Sequence, residues 1–222
     1  MPPAMQSPQD LLRHGAPRLT DVEVLALLLQ AGRSGPPATG LAGRLLTRFG
    51  SLRAVIRAPE EEIARLRGAG TQAPRHAARL AAAAELVRRS LLEQAREEDV
   101  IASPDALRDF LRLTLADRER EVFIAVYLDN RHRVLAVEEL FQGTLTQTSV
   151  HPREVVRAAL RHNAAATIVA HNHPSGVAQA SQADRTLTEQ LRATLSHVDV
   201  RLLDHFIITP QAAISFAETG LL

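Results

Sequence analysis

The chain has 222 residues, of which 45% are hydrophobic, and its 26 basic and 25 acidic residues leave a net charge of +1. This length fits one or two globular domains, and the absence of cysteine excludes disulfides, thiolate nucleophiles and cysteine-ligated zinc. No apolar run approaches the roughly 18 residues needed to span a bilayer, and the N-terminus lacks the basic and apolar regions of a signal peptide, so we expect a cytoplasmic protein.

The first half of the chain has the pattern of helices separated by short glycine and proline breaks. Thr20 and Asp21 are suited to cap a first helix, and three glutamates after Pro59 suit the first turn of another because the helix dipole favours acids there. The predicted segments are a loop at 31–37, a helix at 41–49 ending at Gly50, and a long helix at 73–98.

Two glycines, Gly68 and Gly70, separate two of these helices. This order resembles the helix-hairpin-helix module, in which backbone amides of the hairpin bind a DNA phosphate. The same spacing also suits an ordinary helix turn with a glycine cap. Residues 1–95 carry 13 arginines and 8 acids, whereas 96–222 carry 13 and 17, so DNA is the predicted partner of the first half. The predicted DNA-binding residues are Arg65, Arg67, Gly68, Gly70, Arg75 and Arg79.

The second half alternates strand and helix patterns, which predicts a mixed α/β layer. A link near 90–103 is expected to join it to the first half. The predicted helices lie at 104–113, 153–162 and 182–197, and the predicted strands at 121–128, 133–138, about 143–149, 166–170, 200–208 and 213–216.

The run His171-Asn-His173-Pro-Ser-Gly, followed by Ser181 and Asp184, is the most informative stretch. Two histidines one residue apart face the same way on an extended chain, and Asp184 can fold back as a third ligand. Two imidazoles and one carboxylate, with a fourth position for water, form a known type of catalytic zinc site. Ser181 and Asp184 also fit a helix capping box that needs no metal.

This motif resembles that of the JAMM, or MPN-plus, metalloenzymes, and in detail that of the bacterial RadC family. The resemblance extends over 101–222 through Gly-Thr-Leu at 143–145, the HPRE at 151–154, the LLDHFII at 202–208 and the C-terminal Gly-Leu-Leu. It implies a mixed-sheet JAMM/MPN, cytidine-deaminase-like domain at 101–222, preceded by an all-α helix-hairpin-helix-like domain at 1–95. The loop Val177–Ala180 departs from the family pattern, which usually has a polar residue and two prolines there.

The resemblance also implies site residues. One zinc ion per chain would be held by His171, His173 and Asp184. Glu121 would be the general base, with Glu119 as the alternative and Glu138 and Glu139 as weaker candidates. Ser181 would hydrogen-bond the oxyanion. His151 and one of the adjacent residues Asp204 and His205 are further candidates for the neighbourhood of the site.

Three functions are compatible with these patterns. The first is a zinc-dependent hydrolase that cleaves an amide or isopeptide bond in a protein or peptide substrate. The second is a DNA-binding protein of repair or recombination, whose metal centre acts as a nuclease on branched or single-stranded DNA. The third is a non-catalytic interaction module, which the intact ligand set disfavours. The patterns leave the oligomeric state open.

Overall fold

The computed structural model describes residues 15–30, 38–143 and 150–222. The chain divides into two compact units, Met1–Val87 and Arg88–Leu222. The division falls inside a long helix, just before the link predicted near 90–103. The reason is that Leu91, Leu92 and Ala95 on this helix pack into the core of the second unit. The predicted loop at 31–37 and the predicted strand beyond Gly143 lie outside the described residues.

The first unit is helical. Thr20 and Glu23 form a capping box before its first helix, in which the Thr20 hydroxyl accepts from the Glu23 amide and the Glu23 carboxylate accepts from the Thr20 amide. Apolar residues at helical spacing, including Leu29, Leu45 and Ile63, then form one core. The helices are α1 (Asp21–Gln30), α2 (Thr39–Phe49), α3 (Leu52–Ile56), α4 (Glu60–Ala64) and α5 (Ala73–Glu97), with 3₁₀ turns at Ala16–Arg18 and Gly70–Gln72.

The second unit is built on a five-stranded mixed sheet in the order β2-β1-β3-β4-β5. Only the pair β3–β4 is parallel, and the other three neighbouring pairs are antiparallel. The strands are β1 (Val122–Leu128), β2 (Val134–Gln142), β3 (Ala166–Asn172), β4 (Arg201–Ile208) and β5 (Ala213–Ser215), and the helices are α6 (Pro104–Leu115), α7 (Pro152–Arg161) and α8 (Gln182–Ser196).

Helices cover both faces of this sheet. Alternate residues of strand β1, which lies between β2 and β3, enter two separate cores, because side chains along a strand point to opposite faces. One core joins Ile124 and Val126 to helix α6 and the end of α5. The other joins Phe123 and Tyr127 to α7 and α8. The predicted mixed α/β layer behind a helical first half is therefore confirmed.

Two strands run further than their sequence patterns predict. Strand β2 continues to Gln142 through half-buried and polar residues, since it lies at the sheet edge and needs only one buried face. Strand β3 continues through His171 and Asn172, both fully buried. Polar residues at a buried strand end require bonding partners, and this position is where the candidate site lies. Within the described ranges, no helix has both the length and the apolar character of a membrane span.

Candidate metal centre

The end of β3 and the first turn of α8 meet on one face of the sheet. His171 is on the face that carries Phe123 and Val169, and His173 follows the strand with the same orientation. Helix α8 packs on this face through Leu191 and Leu195, which brings Asp184 in its first turn against the two histidines. His171, His173 and Asp184 are the described residues whose ligand atoms converge within 4.8 Å.

The three donor atoms have the spacing of a metal site. The two Nε2 atoms of His171 and His173 are 3.0 Å apart. The two Asp184 oxygens each face one of them, with Oδ1 3.1 Å from His171 Nε2 and Oδ2 3.5 Å from His173 Nε2. Zinc bonds of about 2.05 Å in a tetrahedron require ligand atoms about 3.3 Å apart. The donor types and the spacing therefore both fit one zinc-sized cation.

The orientation of His173 is set by the backbone of the following turn. Its Nδ1–H donates to the carbonyl of Val177 at 2.9 Å. Because a carbonyl only accepts, the neutral ring has an unprotonated Nε2, and only the protonated ring can donate from Nε2 to Asp184. Gly176 allows the turn with a φ of +77°, while its amide donates to the His173 carbonyl at 3.0 Å. Since the contact uses the Val177 backbone, the departure from the family pattern in this loop leaves the ligand in place.

His171 is held by a second histidine. Its Nδ1 lies 2.8 Å from Nε2 of His205, which is fully buried between the rings of Phe123 and Phe216. The other ring nitrogen of His205 contacts the Thr188 hydroxyl at 2.6 Å. Burial lowers the pKa of His205 well below its ordinary value, so this ring is neutral.

Asp184 is fixed by the cap of its own helix. The Ser181 amide and hydroxyl both donate to Asp184 Oδ2, at 2.8 and 2.6 Å, while the Asp184 amide donates to the Ser181 oxygen at 3.1 Å. The predicted capping box is therefore present. It uses the Ser181 hydrogen on the carboxylate and leaves Oδ1 turned to His171. The role of Ser181 at an oxyanion stays a prediction.

The carboxylate is ionised and favours positive charge beside it. Burial alone would raise the pKa of Asp184, but hydrogen bonds with His171 and His173 lower it far below its ordinary value. The pKa of His173 is raised, chiefly by its hydrogen bond to Asp184 and in smaller part by the charge of Glu121. The pocket between these groups thus favours a cation, either a proton or a metal ion.

Glu121 lies beside this pocket. It immediately precedes β1 and is half-buried. Strands β1 and β3 are antiparallel and pair Phe123 with His171, so extending this register by two residues places Glu121 opposite His173. Glu119, which precedes Glu121 by two residues, is exposed. Glu138 and Glu139 lie on β2, where they pair with Arg161 and His162 and with Arg118 respectively.

Asn172 connects the ligand strand to the segment that carries Glu121. This fully buried side chain points to the sheet face opposite His171. Its oxygen accepts from the Val122 amide at 2.8 Å, and its amide donates to the carbonyls of Arg118 and Arg120 at 3.0 and 3.1 Å. The backbone on both sides of Glu121 is therefore bound to the residue between the two histidines.

The sequence also suggested one of Asp204 and His205, and His151, as neighbours of the site. Of the adjacent pair in β4, His205 reaches the site, whereas Asp204 binds Ser215 and the amide of Ala217 on the other side. This confirms that only one of the two points to the site. His151 occupies the N-cap position of α7 without a capping hydrogen bond from its side chain, and its ring packs 6.0 Å from the Phe141 ring.

The residues predicted to bind DNA surround a turn in the first unit. Arg65, Arg67 and Arg75 are exposed, and Gly68 and Gly70 have φ values of +93° and +46°. Arg79 is an exception, because its half-buried guanidinium donates to the carbonyl of Leu29 near the end of α1. Arg44 also lies at this turn, with its guanidinium 2.6 Å from the point that a Cβ at Gly68 would occupy.

A mixed sheet with two imidazoles and a carboxylate at one strand end defines an α/β domain suited to bind a metal ion. Comparison with protein-family models matches residues 101–221 to the RadC-like JAB domain and residues 2–73 to the UPF0758 N-terminal family. A UPF0758 protein of Thiobacillus denitrificans is 52% identical over 212 residues, which cover 96% of this chain and 93% of that relative. UPF0758 proteins of Nitrosomonas eutropha and Chromobacterium violaceum are 48% and 50% identical, covering 100% and 99% of this chain and 97% of each relative. The chain therefore belongs to the RadC-like JAB domain family, as its motifs predict.

Three contributors to the site had no clear sequence signal. Asn172 and the Val177 carbonyl act through backbone contacts that no residue pattern marks. Thr188 follows Asp184 by four residues, which places both on the same helix face, and this spacing was the available hint.

Proposed function

We propose that this chain is a zinc-dependent hydrolase of the JAMM type that cleaves an amide or isopeptide bond. The observation that carries the proposal is the convergence of His171, His173 and Asp184, in which the Nε2 atoms of both imidazoles lie 3.0 Å apart and face the Asp184 carboxylate. A cation bound there would polarise a carbonyl and make a water molecule acidic enough to react near neutral pH.

The surrounding residues suit the remaining tasks of a hydrolase. We assign Glu121 as the general base, which takes a proton from the attacking water and delivers it to the leaving nitrogen. Its support is its half-buried position opposite His173, together with the backbone bonds from Asn172 on either side. Ser181 is assigned to the oxyanion, with the condition that its hydroxyl turns away from Asp184 when substrate binds.

A panel of linkages tests this proposal. Zinc-loaded protein would be incubated with peptide and isopeptide libraries and with single-stranded and branched DNA, and products would be identified by mass spectrometry and gel electrophoresis. We expect amide cleavage that falls by at least ~10²-fold in Glu121→Gln, and activity close to wild type in the matched control Glu119→Gln. Loss in the control but not in Glu121→Gln would reassign the base, and cleavage of DNA alone would replace the amide substrate.

A second proposed function, DNA binding by the first unit, is supported by the arginines around the Gly68–Gly70 turn. Backbone amides and guanidinium groups bind phosphate without reading sequence. We expect a mobility shift with branched DNA that weakens steeply between low and moderate salt and that is reduced in Arg65→Gln/Arg67→Gln. The exposed Arg18→Gln is the control. No shift at low salt would remove DNA as a partner of this unit.

A further inference from the structure

We propose that Thr188 and His205 form a hydrogen-bonded relay that fixes His171 in the tautomer able to bind metal. The inference rests on the proposed function, because it concerns how the ligand set is prepared. Metal-bound histidines commonly donate their second ring N–H to a carboxylate or carbonyl. His173 follows this rule through the Val177 carbonyl, whereas His171 faces another imidazole, whose tautomer must itself be set.

The backbone carbonyl of Asp184 sets the direction of the hydrogen bonds in the relay. The Thr188 hydroxyl lies 2.6 Å from the backbone carbonyl of Asp184, and this carbonyl can only accept. The single hydroxyl hydrogen is therefore used there, so toward His205 Nδ1, also 2.6 Å away, Thr188 acts as the acceptor. His205 must carry its hydrogen on Nδ1.

The tautomer of His205 in turn sets the tautomer of His171. A neutral ring with its hydrogen on Nδ1 has a free Nε2, so His205 Nε2 accepts from His171 Nδ1 at 2.8 Å. His171 then keeps an unprotonated Nε2, which is the atom 3.1 Å from Asp184 and 3.0 Å from His173. The reverse direction would place a hydrogen on His171 Nε2 and block the metal. Complete burial of the His205 ring disfavours a charged form that would donate from both nitrogens.

Helix α8 offers a matched pair of variants for the test. Thr188→Val removes the relay hydroxyl while keeping the branched shape of the side chain. Thr194→Val removes a hydroxyl that makes the same bond to the carbonyl four residues earlier, at 2.6 Å, on a partly exposed side of the helix. Thr188→Ser restores the hydroxyl. Circular dichroism and thermal unfolding would establish that each variant is folded.

Two readouts decide the proposal. Competition of the full chain with a zinc chelator should give a zinc dissociation constant about 10–100-fold weaker in Thr188→Val, and wild-type values in Thr194→Val and Thr188→Ser. In the metal-free protein, long-range ¹H–¹⁵N correlation spectra should show Nδ1 protonated on His205 and His171 in the wild type, with this pattern lost in Thr188→Val.

Failure of the relay can be distinguished from failure of the proposed function. Unchanged zinc affinity in folded Thr188→Val, or a wild-type His205 protonated on Nε2, overturns the relay and leaves the metal site standing. Absence of zinc binding by the wild type overturns the proposed function, and the relay with it.

Discussion

Asn172 provides a metal-independent test of how the site is assembled. Its side chain makes three hydrogen bonds to the backbone of 118–122. Asn172→Ala leaves the buried Val122 amide without a partner, which costs about 1–3 kcal/mol, whereas the two partly buried carbonyls regain water and cost less. We therefore expect a loss of about 2–3 kcal/mol in the free energy of unfolding. For the unit Arg88–Leu222, this corresponds to a melting temperature lower by about 5–10 °C.

Thermal unfolding and amide hydrogen exchange would measure this effect. Exchange at Val122 should accelerate in Asn172→Ala. In Asn172→Asp it should stay slow, because the acceptor for Val122 remains while both donors are lost. The same truncation at an exposed turn residue, Asn130→Ala, is the control. A melting temperature for Asn172→Ala within 2 °C of the wild type, which is well below the expected shift of several degrees, with unchanged exchange at Val122, would show that the Asn172 hydrogen bonds do not stabilise this segment.

Two further predictions concern stability. Glu138→Gln should lower the free energy of unfolding by about 1 kcal/mol at pH 7, because hydrogen bonds from His162 and Arg161 outweigh burial and lower the pKa of Glu138. That stability is present above the ordinary carboxyl pKa of 4.5 and is lost as the pH falls through the lower pKa of the folded state. The free energies of urea unfolding of wild type and variant should therefore converge in acid. A difference that stays constant with pH would contradict the pairing of Glu138 with Arg161 and His162. Gly68→Ala should destabilise the first unit by about 1–2 kcal/mol, since its φ is +93° and Arg44 must move. Gly43→Ala, in open space on helix α2, should stabilise the first unit by about 0.5–1 kcal/mol. Equal changes in melting temperature for the two glycine variants would contradict backbone strain at Gly68.

The convergence of His171, His173 and Asp184 was predictable because each feature that produces it is local. Alternation along a strand places His171 and His173 on one side, and the capping box places Asp184 in the first turn of α8. The same alternation predicted that His205 and Asp204 would face opposite ways. Apolar runs also located most strands and helices of the second unit.

The supports of the site were not predictable, since their partners are distant in sequence. Asn172 bonds to Val122 across 50 positions, and His171 meets His205 across 34. The extension of β3 beyond Ala170 depends on those contacts, because buried polar residues continue a strand only where partners exist. Helix α5 also depends on distant partners, because its residues Leu91 and Leu92 pack into the second core, which a helical pattern alone does not reveal.

The most direct measurement is the position of bound zinc. Crystals of the full chain grown with zinc would be measured at wavelengths on both sides of the zinc absorption edge. We expect one anomalous peak per chain, about 2.0–2.2 Å from Nε2 of His171, Nε2 of His173 and a carboxylate oxygen of Asp184, and no peak in folded Asp184→Ala. A peak at other residues, or one that persists in Asp184→Ala, would contradict this expectation.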